Sequence, residues 1–156
     1  MKVVIRDEAE MLALGRRLAR ACHAATVIYL YGQLGAGKTT LVRGFMRAMG
    51  YGGAVKSPTY TLIEPYDVGD WRIYHLDLYR VEDAAELAYL GLRELYEGKS
   101  VMLVEWPERG GTYLPPPDLV MEIEYAIAGR QLLLKPLTSV GEALTADLSQ
   151  GDFSPD

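Results

Sequence analysis

YLYGQLGAGKTT, residues 29–40, carries the strongest structural signal in this chain. Residues 32–39 fit G-x-x-x-x-G-K-[ST], the pattern of a phosphate-binding loop (P-loop) that joins a strand to a helix. The β-branched and aromatic run at residues 26–31 predicts a buried strand before the loop. Apolar residues then recur at helical spacing as far as Gly50, which predicts a helix after it. These flanking elements count against the alternative, a glycine-rich turn that fits the pattern by chance.

A loop of this type binds phosphate through its backbone and two of its side chains. Glycines let the backbone bend so that N–H groups face phosphate oxygens, and the helix dipole adds attraction for an anion. We expect Lys38 to reach the β- and γ-phosphates and the Thr39 hydroxyl to ligate Mg²⁺. The residues of this segment predicted to bind a nucleoside triphosphate are Gly35, Ala36, Gly37, Lys38, Thr39 and Thr40.

Length, charge and cysteine content limit the class of protein. The chain has 156 residues, which we interpret as one domain over residues 1–148 and a flexible tail at 149–156. A formal net charge of -5 argues against broad, unspecific nucleic-acid binding, although a tRNA contact made through a partner remains compatible with it. Cys22 is the single cysteine, and no apolar run has transmembrane length. A cytoplasmic protein without membrane contact is therefore expected.

Alternating residues after the P-loop helix predict a β-hairpin. Residues 56–66 and 71–79 form its strands, with turn formers at residues 67–70, so the sheet should be mixed. His75 and Asp77 share one face of the second strand. A solvated face is the competing explanation, and it suits His75 better than Asp77.

Further elements are predicted on both sides of this hairpin. Lys2–Ile5 is a candidate edge strand, and Asp7 is a candidate N-cap for the helix after it. Asp83 is a candidate N-cap for a helix that passes Leu90, breaks at Gly91 and resumes to Tyr96. Residues 120–125 and 131–135 predict a second hairpin, and residues 139–148 a short helix.

The run Val101-Met102-Leu103-Val104-Glu105 is typical of a Walker-B strand, which is buried on both faces and ends in a carboxylate. A carboxylate there can hold Mg²⁺ directly or through water, or polarise the attacking water. The simpler alternative is an acid at a strand exit, and the upstream P-loop favours the functional interpretation. Trp106 adjoins this acid.

Four sequence blocks stand out in this order: Gly35-Ala36-Gly37-Lys38-Thr39-Thr40, Lys56-Ser57-Pro58-Thr59-Tyr60-Thr61-Leu62, His75-Leu76-Asp77-Leu78-Tyr79-Arg80 and Glu105-Trp106-Pro107-Glu108. Together they give the chain a resemblance to the TsaE family, the ATPase component of bacterial tRNA threonylcarbamoyladenosine (t6A) synthesis. The resemblance extends over about residues 7–148. The P-loop alone is common to very many proteins, whereas the four blocks in this order and spacing are specific.

The resemblance implies an α/β, P-loop NTPase-like three-layer fold with a mixed, mainly parallel sheet and β-hairpin additions. It implies that ATP and Mg²⁺ are the cofactors, that Thr39 and Glu105 bind the metal, and that Asp77 is needed for activity. Lys38, Asp77 and Glu105 form the predicted catalytic set. The other residues expected to contact the nucleotide are Ser57, Thr59, Trp106, Glu108 and Arg130.

The same resemblance implies protein partners. In the family, TsaD transfers the threonylcarbamoyl group to adenosine 37 of tRNA and acts with TsaB. A member such as this chain would bind TsaD and TsaB and hydrolyse ATP to reset the complex between turnovers. It would meet tRNA only through that complex. Separately, Arg80, Arg109 and Arg130 are the candidate arginine fingers, and none has a sequence context that fixes it in line with the γ-phosphate, so hydrolysis by the chain alone should be slow.

Two other protein classes share the P-loop. A small-molecule kinase usually carries a helical substrate segment and an arginine-bearing lid, but the segment between Thr40 and Glu105 starts with a predicted hairpin. A GTPase selects guanine through N-K-x-D, and this sequence contains no asparagine. The kinase is therefore the stronger of the two alternatives.

Overall fold

A computed structural model describes residues 1–95 and 97–150 and contains one seven-stranded sheet. The strands are β1 (Lys2–Ile5), β2 (Thr26–Tyr31), β3 (Ile63–Val68), β4 (Trp71–Asp77), β5 (Ser100–Glu105), β6 (Leu119–Tyr125) and β7 (Arg130–Pro136). The α-helices are α1 (Glu8–Ala21), α2 (Lys38–Met49) and α3 (Ser139–Leu148). Short 3-10 helices occupy Ala84–Leu90, Pro107–Arg109 and Gly111–Tyr113.

The strand order is β1-β7-β6-β2-β5-β4-β3. The central strands β6, β2, β5 and β4 run parallel, whereas the pairs β3–β4, β6–β7 and β1–β7 are antiparallel. This arrangement confirms the predicted mixed sheet, parallel in its centre and extended by hairpins. The predicted edge strand at Lys2–Ile5 and both hairpins are also confirmed.

The centre of the sheet explains where the P-loop lies. Val27, Ile28 and Leu30 of β2 are fully buried, because helices cover one face of the sheet and a 3-10 helix with loops covers the other. In the parallel register Leu30 lies opposite Glu105, and Asp77 also lies opposite Glu105. The carboxyl ends of β2, β5 and β4 therefore meet at one edge of the sheet, where ligands bind in folds of this class.

Two glycines allow α1 and α2 to cross at close range. A Cβ atom built on Gly15 would stand 2.2 Å from the Leu41 carbonyl oxygen, and one built on Gly44 would stand 2.2 Å from that of Leu12. Only hydrogen fits at either contact, so the backbones of the two helices touch. This packing fixes α2, and with it the P-loop, against the rest of the helical layer.

The first predicted hairpin strand is too long at its start. The structure begins β3 at Ile63, and residues 56–62 form a loop that ends with a hydrogen bond of 2.8 Å from the Leu62 amide to the Pro58 carbonyl. Leu62 has a positive φ of 68°, which interrupts extended structure. The alternation in this segment therefore does not correspond to strand pairing.

The helix predicted after Asp83 is shorter than expected. Asp83 caps it as predicted, but the segment is a 3-10 helix over Ala84–Leu90 that ends at Gly91 in the left-handed conformation. Of its residues only Leu87 is buried, so little tertiary packing stabilises a longer helix. It does not resume over residues 91–95, and Tyr96 lies outside the described residues.

The competing explanation for His75 and Asp77, a solvated strand face, is contradicted by their burial. His75 is fully buried and Asp77 retains 5% exposure, because β4 pairs with a strand on each side and both sheet faces are covered.

The single domain over residues 1–148 and the tail at 149–156 stay predictions, and residues 151–156 lie outside the described residues. Among the residues that the structure describes, no helix is long and apolar enough to cross a membrane.

Candidate nucleotide site

The P-loop backbone leaves β2, bends twice and enters α2. Gly35 and Gly37 adopt positive φ values of 78° and 115°, which side chains rarely tolerate. Gly37 caps α2, so the helix begins at Lys38 with first-turn N–H groups that lack intrahelical acceptors. These groups border a cleft of about 300 Å³ at the carboxyl edge of the sheet. The loop therefore has the form of an anion site at a helix N-terminus.

The Lys38 side chain folds back over this loop. Its Nζ donates hydrogen bonds to the carbonyl oxygens of Gly32 and, at 2.9 Å, of Gln33. The same nitrogen lies 4.6 Å from the centre of the Trp106 ring. Burial lowers the pKa of the Lys38 ammonium, and the carboxylates of Glu105, Asp77 and Glu108 act in the opposite direction. The ammonium is thus held at the wall of the cleft.

Thr39 and Glu105 face each other across the floor of the cleft. The Thr39 hydroxyl lies 3.2 Å from both carboxylate oxygens of Glu105, although the two residues are 66 positions apart. The carboxylate also receives a hydrogen bond of 2.5 Å at Oε2 from His75 Nε2. Because His75 and Glu105 are both buried, this bond fixes the orientation of the carboxylate towards Thr39.

Asp77 holds the loop that precedes β3 against the same cleft. Its Oδ2 accepts hydrogen bonds from the hydroxyls of Ser57 at 3.2 Å and Thr59 at 3.1 Å. Its Oδ1 accepts one from the Tyr79 amide at 3.0 Å. The two hydroxyls lie 2.9 Å from each other. Through these two hydrogen bonds Asp77 therefore holds the Ser57 and Thr59 hydroxyl groups at the rim of the cleft.

Trp106 closes the cleft on the side of Lys38. It has a positive φ of 58°, an unusual conformation for a large residue, immediately after the carboxylate of Glu105. Its ring packs against Tyr79, with the ring centres 5.1 Å apart, and the Arg109 guanidinium lies 5.7 Å from its centre. The backbone turn thus brings an aromatic wall next to the predicted metal ligand.

Most of the predicted site residues lie on one cleft. Those that line it are Gly35, Ala36, Gly37, Lys38, Thr39, Thr40, Ser57, Thr59, Asp77, Glu105 and Trp106, together with Leu34 and Tyr79. They come from four separate parts of the sequence and meet at the edge where β2, β4 and β5 end. Their individual roles stay predictions.

Two predicted site residues lie elsewhere. Glu108 lines a neighbouring cleft of about 700 Å³, which it shares with Gly32, Gln33 and Trp106. Arg130 lies on the outer side of the P-loop and borders a third cleft of about 410 Å³. Neither residue lines the cleft that contains Lys38 and Thr39.

The residues present suit Mg²⁺ and a polyphosphate. Mg²⁺ prefers oxygen ligands and is usually held by one or two protein groups, phosphates and water. Thr39 and Glu105 offer such oxygens close together, and the described residues contain no cluster of three acidic, histidine or cysteine side chains that would form a complete cage. A lone cation at Lys38 beside the amides of a helix start complements a polyanion.

Sequence reasoning left two residues of this region without a function. For His75 the alternation leaves a solvated and a buried face both open, although its position two residues before Asp77 in a long alternating strand is a usable signal for a shared buried face. Tyr125 received no interpretation, yet its hydroxyl donates to the Leu34 carbonyl of the P-loop at 2.7 Å. Nothing in the local sequence of Tyr125 indicates this contact, which joins residues 91 positions apart.

A glycine-rich loop between a central parallel strand and a helix, beside a buried acid at the end of the next strand, defines a P-loop NTPase-like fold. Comparison with known proteins narrows this class. The model of the family "Threonylcarbamoyl adenosine biosynthesis protein TsaE" matches residues 5–132. This chain therefore belongs to the TsaE family, as its four sequence blocks predict.

Several relatives match nearly the whole chain. A Haemophilus influenzae protein named tRNA threonylcarbamoyladenosine biosynthesis protein TsaE is 41% identical over 150 residues, or 93% of this chain and 95% of that protein. A Bacillus subtilis protein of the same name is 38% identical and covers 92% of this chain and 90% of its own length. The crystal structure of YdiB from Bacillus subtilis superposes with a TM-score of 0.81 and 32% identity, covering 96% of this chain and 94% of the other.

Proposed function

We propose that this protein is the ATP-binding and ATP-hydrolysing subunit of the machinery that makes t6A in tRNA, and that it acts with TsaD and TsaB. The relatives' names support the pathway. The partners follow from the family resemblance. In this proposal ATP hydrolysis resets the complex between turnovers, in the cytoplasm, and the protein meets tRNA only through the complex.

One observation carries the proposal: the Thr39 hydroxyl lies within 3.2 Å of both Glu105 carboxylate oxygens at the mouth of the P-loop. An oxygen pair at this place is what a Mg²⁺-nucleotide site requires. Bound Mg²⁺ would neutralise charge on the β- and γ-phosphates. The bond from His75 keeps the Glu105 carboxylate turned towards Thr39 before any ligand arrives.

The other residues of the cleft suit the remaining steps. Lys38 would exchange its bonds to the loop carbonyls for bonds to phosphate oxygens, which are stronger acceptors. Ser57 and Thr59, held by Asp77, would stand beside the γ-phosphate and respond to its loss. Trp106 would exclude water from the wall next to Lys38.

A slow isolated enzyme is expected because the arginines near the site are already engaged. Arg80 donates to the Tyr60 hydroxyl at 3.1 Å, and Arg109 donates to the Val81 carbonyl at 3.4 Å. Arg130 donates to the Ala36 carbonyl at 3.0 Å. Each would have to leave its partner to act as an arginine finger, a group worth about 10³–10⁵ in rate. We therefore assign that cation, or a further shift of Ser57 and Thr59 from their positions beside Asp77, to the docked partners.

The direct test is ATP turnover by the purified chain with and without TsaD and TsaB. We expect slow hydrolysis alone and a rise of about tenfold or more in the complex, a part of the rate that an arginine finger contributes. Lys38→Ala should abolish nucleotide binding or hydrolysis in both conditions. Lys99→Ala is the matched control, because the Lys99 side chain is 59% exposed and lies beside Asp70, in the turn that joins β3 to β4.

Two results would contradict the proposal. Normal ATP affinity and turnover in Lys38→Ala would show that the P-loop assignment is wrong. Fast hydrolysis by the isolated chain, unchanged by TsaD and TsaB, would remove partner control. Consumption of ATP with transfer of phosphate to one of a panel of small acceptors would instead identify a kinase.

A further inference from the structure

Two side chains contact the outer side of the P-loop from either side of the turn between β6 and β7: Tyr125 at the end of β6 and Arg130 at the start of β7. The Tyr125 hydroxyl donates to the Leu34 carbonyl at 2.7 Å. Arg130 donates from Nη2 to the Gly35 carbonyl at 3.2 Å and from Nε to the Ala36 carbonyl at 3.0 Å. Three consecutive carbonyl groups of the loop are therefore bonded from outside the cleft.

The two side chains are themselves fixed. The Arg130 guanidinium lies 4.3 Å from the centre of the Tyr125 ring, and its Nη1 donates to the Gly129 carbonyl at 2.9 Å. Gly129 has a positive φ of 89°, and a Cβ atom there would stand 2.1 Å from the Ile5 carbonyl oxygen. The turn is thus packed against the end of β1 at Gly129, beside Tyr125 and Arg130.

The direction of these carbonyl groups determines where the loop amides point. In a trans peptide unit the C=O and N–H bonds point in opposite directions. The carbonyls of Leu34 and Ala36 belong to the same peptide units as the amides of Gly35 and Gly37. Holding these carbonyls outward therefore turns both amides inward. Without such bonds a glycine-rich loop can rotate its peptide planes at little cost.

We propose that Tyr125 and Arg130 are positioning residues that hold the P-loop in its anion-binding conformation before the nucleotide arrives. This inference rests on the proposed function and deepens it. It gives Arg130 a role on the backbone of the loop, in place of direct contact with phosphate. The pair acts by preorganisation, which raises affinity because the loop need not be ordered during binding.

The first measurement uses the protein without nucleotide. The Ala36 amide donates to the Gln33 carbonyl at 3.1 Å across the loop, so its hydrogen exchange reports the loop conformation. We expect exchange at Ala36, followed by NMR, to be about tenfold faster in Tyr125→Phe and in Arg130→Lys, the effect of losing about one net hydrogen bond. Tyr113→Phe is the control, because Tyr113 lies in the Gly111–Tyr113 3-10 helix, outside the three clefts around the loop.

The second measurement is the affinity for ADP without Mg²⁺, by calorimetry. Both variants should bind more weakly by about tenfold, and Arg130→Lys should do so although it keeps its positive charge. Tyr125→Phe changes no charge, so a lower affinity in this variant cannot come from a lost phosphate contact of a cation. It also keeps the test open if Arg130→Lys does not fold.

The outcomes separate this inference from the proposed function. Absence of ADP binding in the wild type would contradict the proposed function, and the exchange at Ala36 would still test the positioning role. Weaker binding in Arg130→Lys with unchanged Ala36 exchange would show direct contact with phosphate and would overturn the inference. Faster exchange without any loss of affinity would overturn it as well.

Discussion

Glu105 and Asp77 lie opposite each other on adjacent parallel strands, yet their carboxylates have different neighbours. Glu105 contacts Thr39 and His75, the predicted metal side of the cleft. Asp77 instead holds the hydroxyls of Ser57 and Thr59. The different contacts predict that the two acids have separate functions.

Replacement of each acid by its amide should separate these functions. Glu105→Gln should raise the Mg²⁺ requirement by at least about tenfold, in the range seen when support of a metal site is lost. Asp77→Asn should leave nucleotide affinity nearly unchanged and lower turnover by about 100-fold, because Ser57 and Thr59 would lose their position. Metal titrations of ATP turnover and of nucleotide binding distinguish the two effects.

Asp70→Asn is the matched control for these variants, because the Asp70 side chain is 89% exposed in the turn after β3. It should behave as wild type in both titrations. Identical phenotypes for Glu105→Gln and Asp77→Asn would contradict the division of roles.

At the scale of secondary-structure elements, the turn after β5 lies at the candidate site, whereas the hairpin turn before β4 does not. Trp106 follows β5 and lines the cleft that contains Lys38 and Thr39. Trp71 begins β4 at the opposite end of that strand from Asp77 and packs against the core on the helical side of the sheet. The two tryptophans of the chain therefore differ in their distance from the candidate site.

Nucleotide binding should change the intrinsic fluorescence of the wild type and of Trp71→Phe, but leave that of Trp106→Phe unchanged. The physical reason is that the Trp106 ring lies 4.6 Å from Lys38 Nζ, which in the proposed function exchanges its bonds to the loop carbonyls for bonds to phosphate. A titration with ATP and Mg²⁺ followed by tryptophan emission measures the effect. A signal that disappears in Trp71→Phe would show that the nucleotide acts on the hairpin.

The elements differ in how well the sequence predicted them. β2, β5 and α2 were predicted because a continuous apolar run and a helical period are local properties of the chain. The predicted start of β3 is too early, because alternation at residues 56–62 resembles a strand although no neighbouring strand pairs with it. The alternation in β4 places His75 on the same face as Asp77, but whether that face is covered depends on the elements that pack around β4 in the folded sheet.

For the molecule as a whole, the reactivity of the buried Cys22 thiol measures how rarely the core on the helical side of the sheet opens to solvent. Cys22 is the single cysteine, lies at the end of α1 and is 6% exposed in the core on that side of the sheet. Burial raises the pKa of the Cys22 thiol to about 12, against the lowering effect of a hydrogen bond with Thr26. The thiolate is the reactive form, so the folded protein should react slowly.

Alkylation of Cys22 by iodoacetamide at pH 8 should be at least about 100-fold slower in the folded protein than in urea, because thiolate formation requires opening of the core. Mass spectrometry of the alkylated protein against time measures the rate of alkylation. Equal rates in buffer and in urea would show that the helical layer opens freely.

The raised pKa of the Cys22 thiol also predicts that the free energy of unfolding falls as the pH rises above about 8.5, where the unfolded chain loses the thiol proton and the folded chain keeps it.

Local patterns in the sequence determine the P-loop, the strand and helix around it and the acid at Glu105, because each depends on residues close together in the chain. The partners of these groups depend on the packing of the sheet. Thr39 meets Glu105 across 66 positions, and Arg130 reaches Ala36 across 94. Such contacts form because parallel strand pairing and the closing hairpin bring distant segments to one edge. No periodicity or spacing within a segment encodes which side chains will meet there.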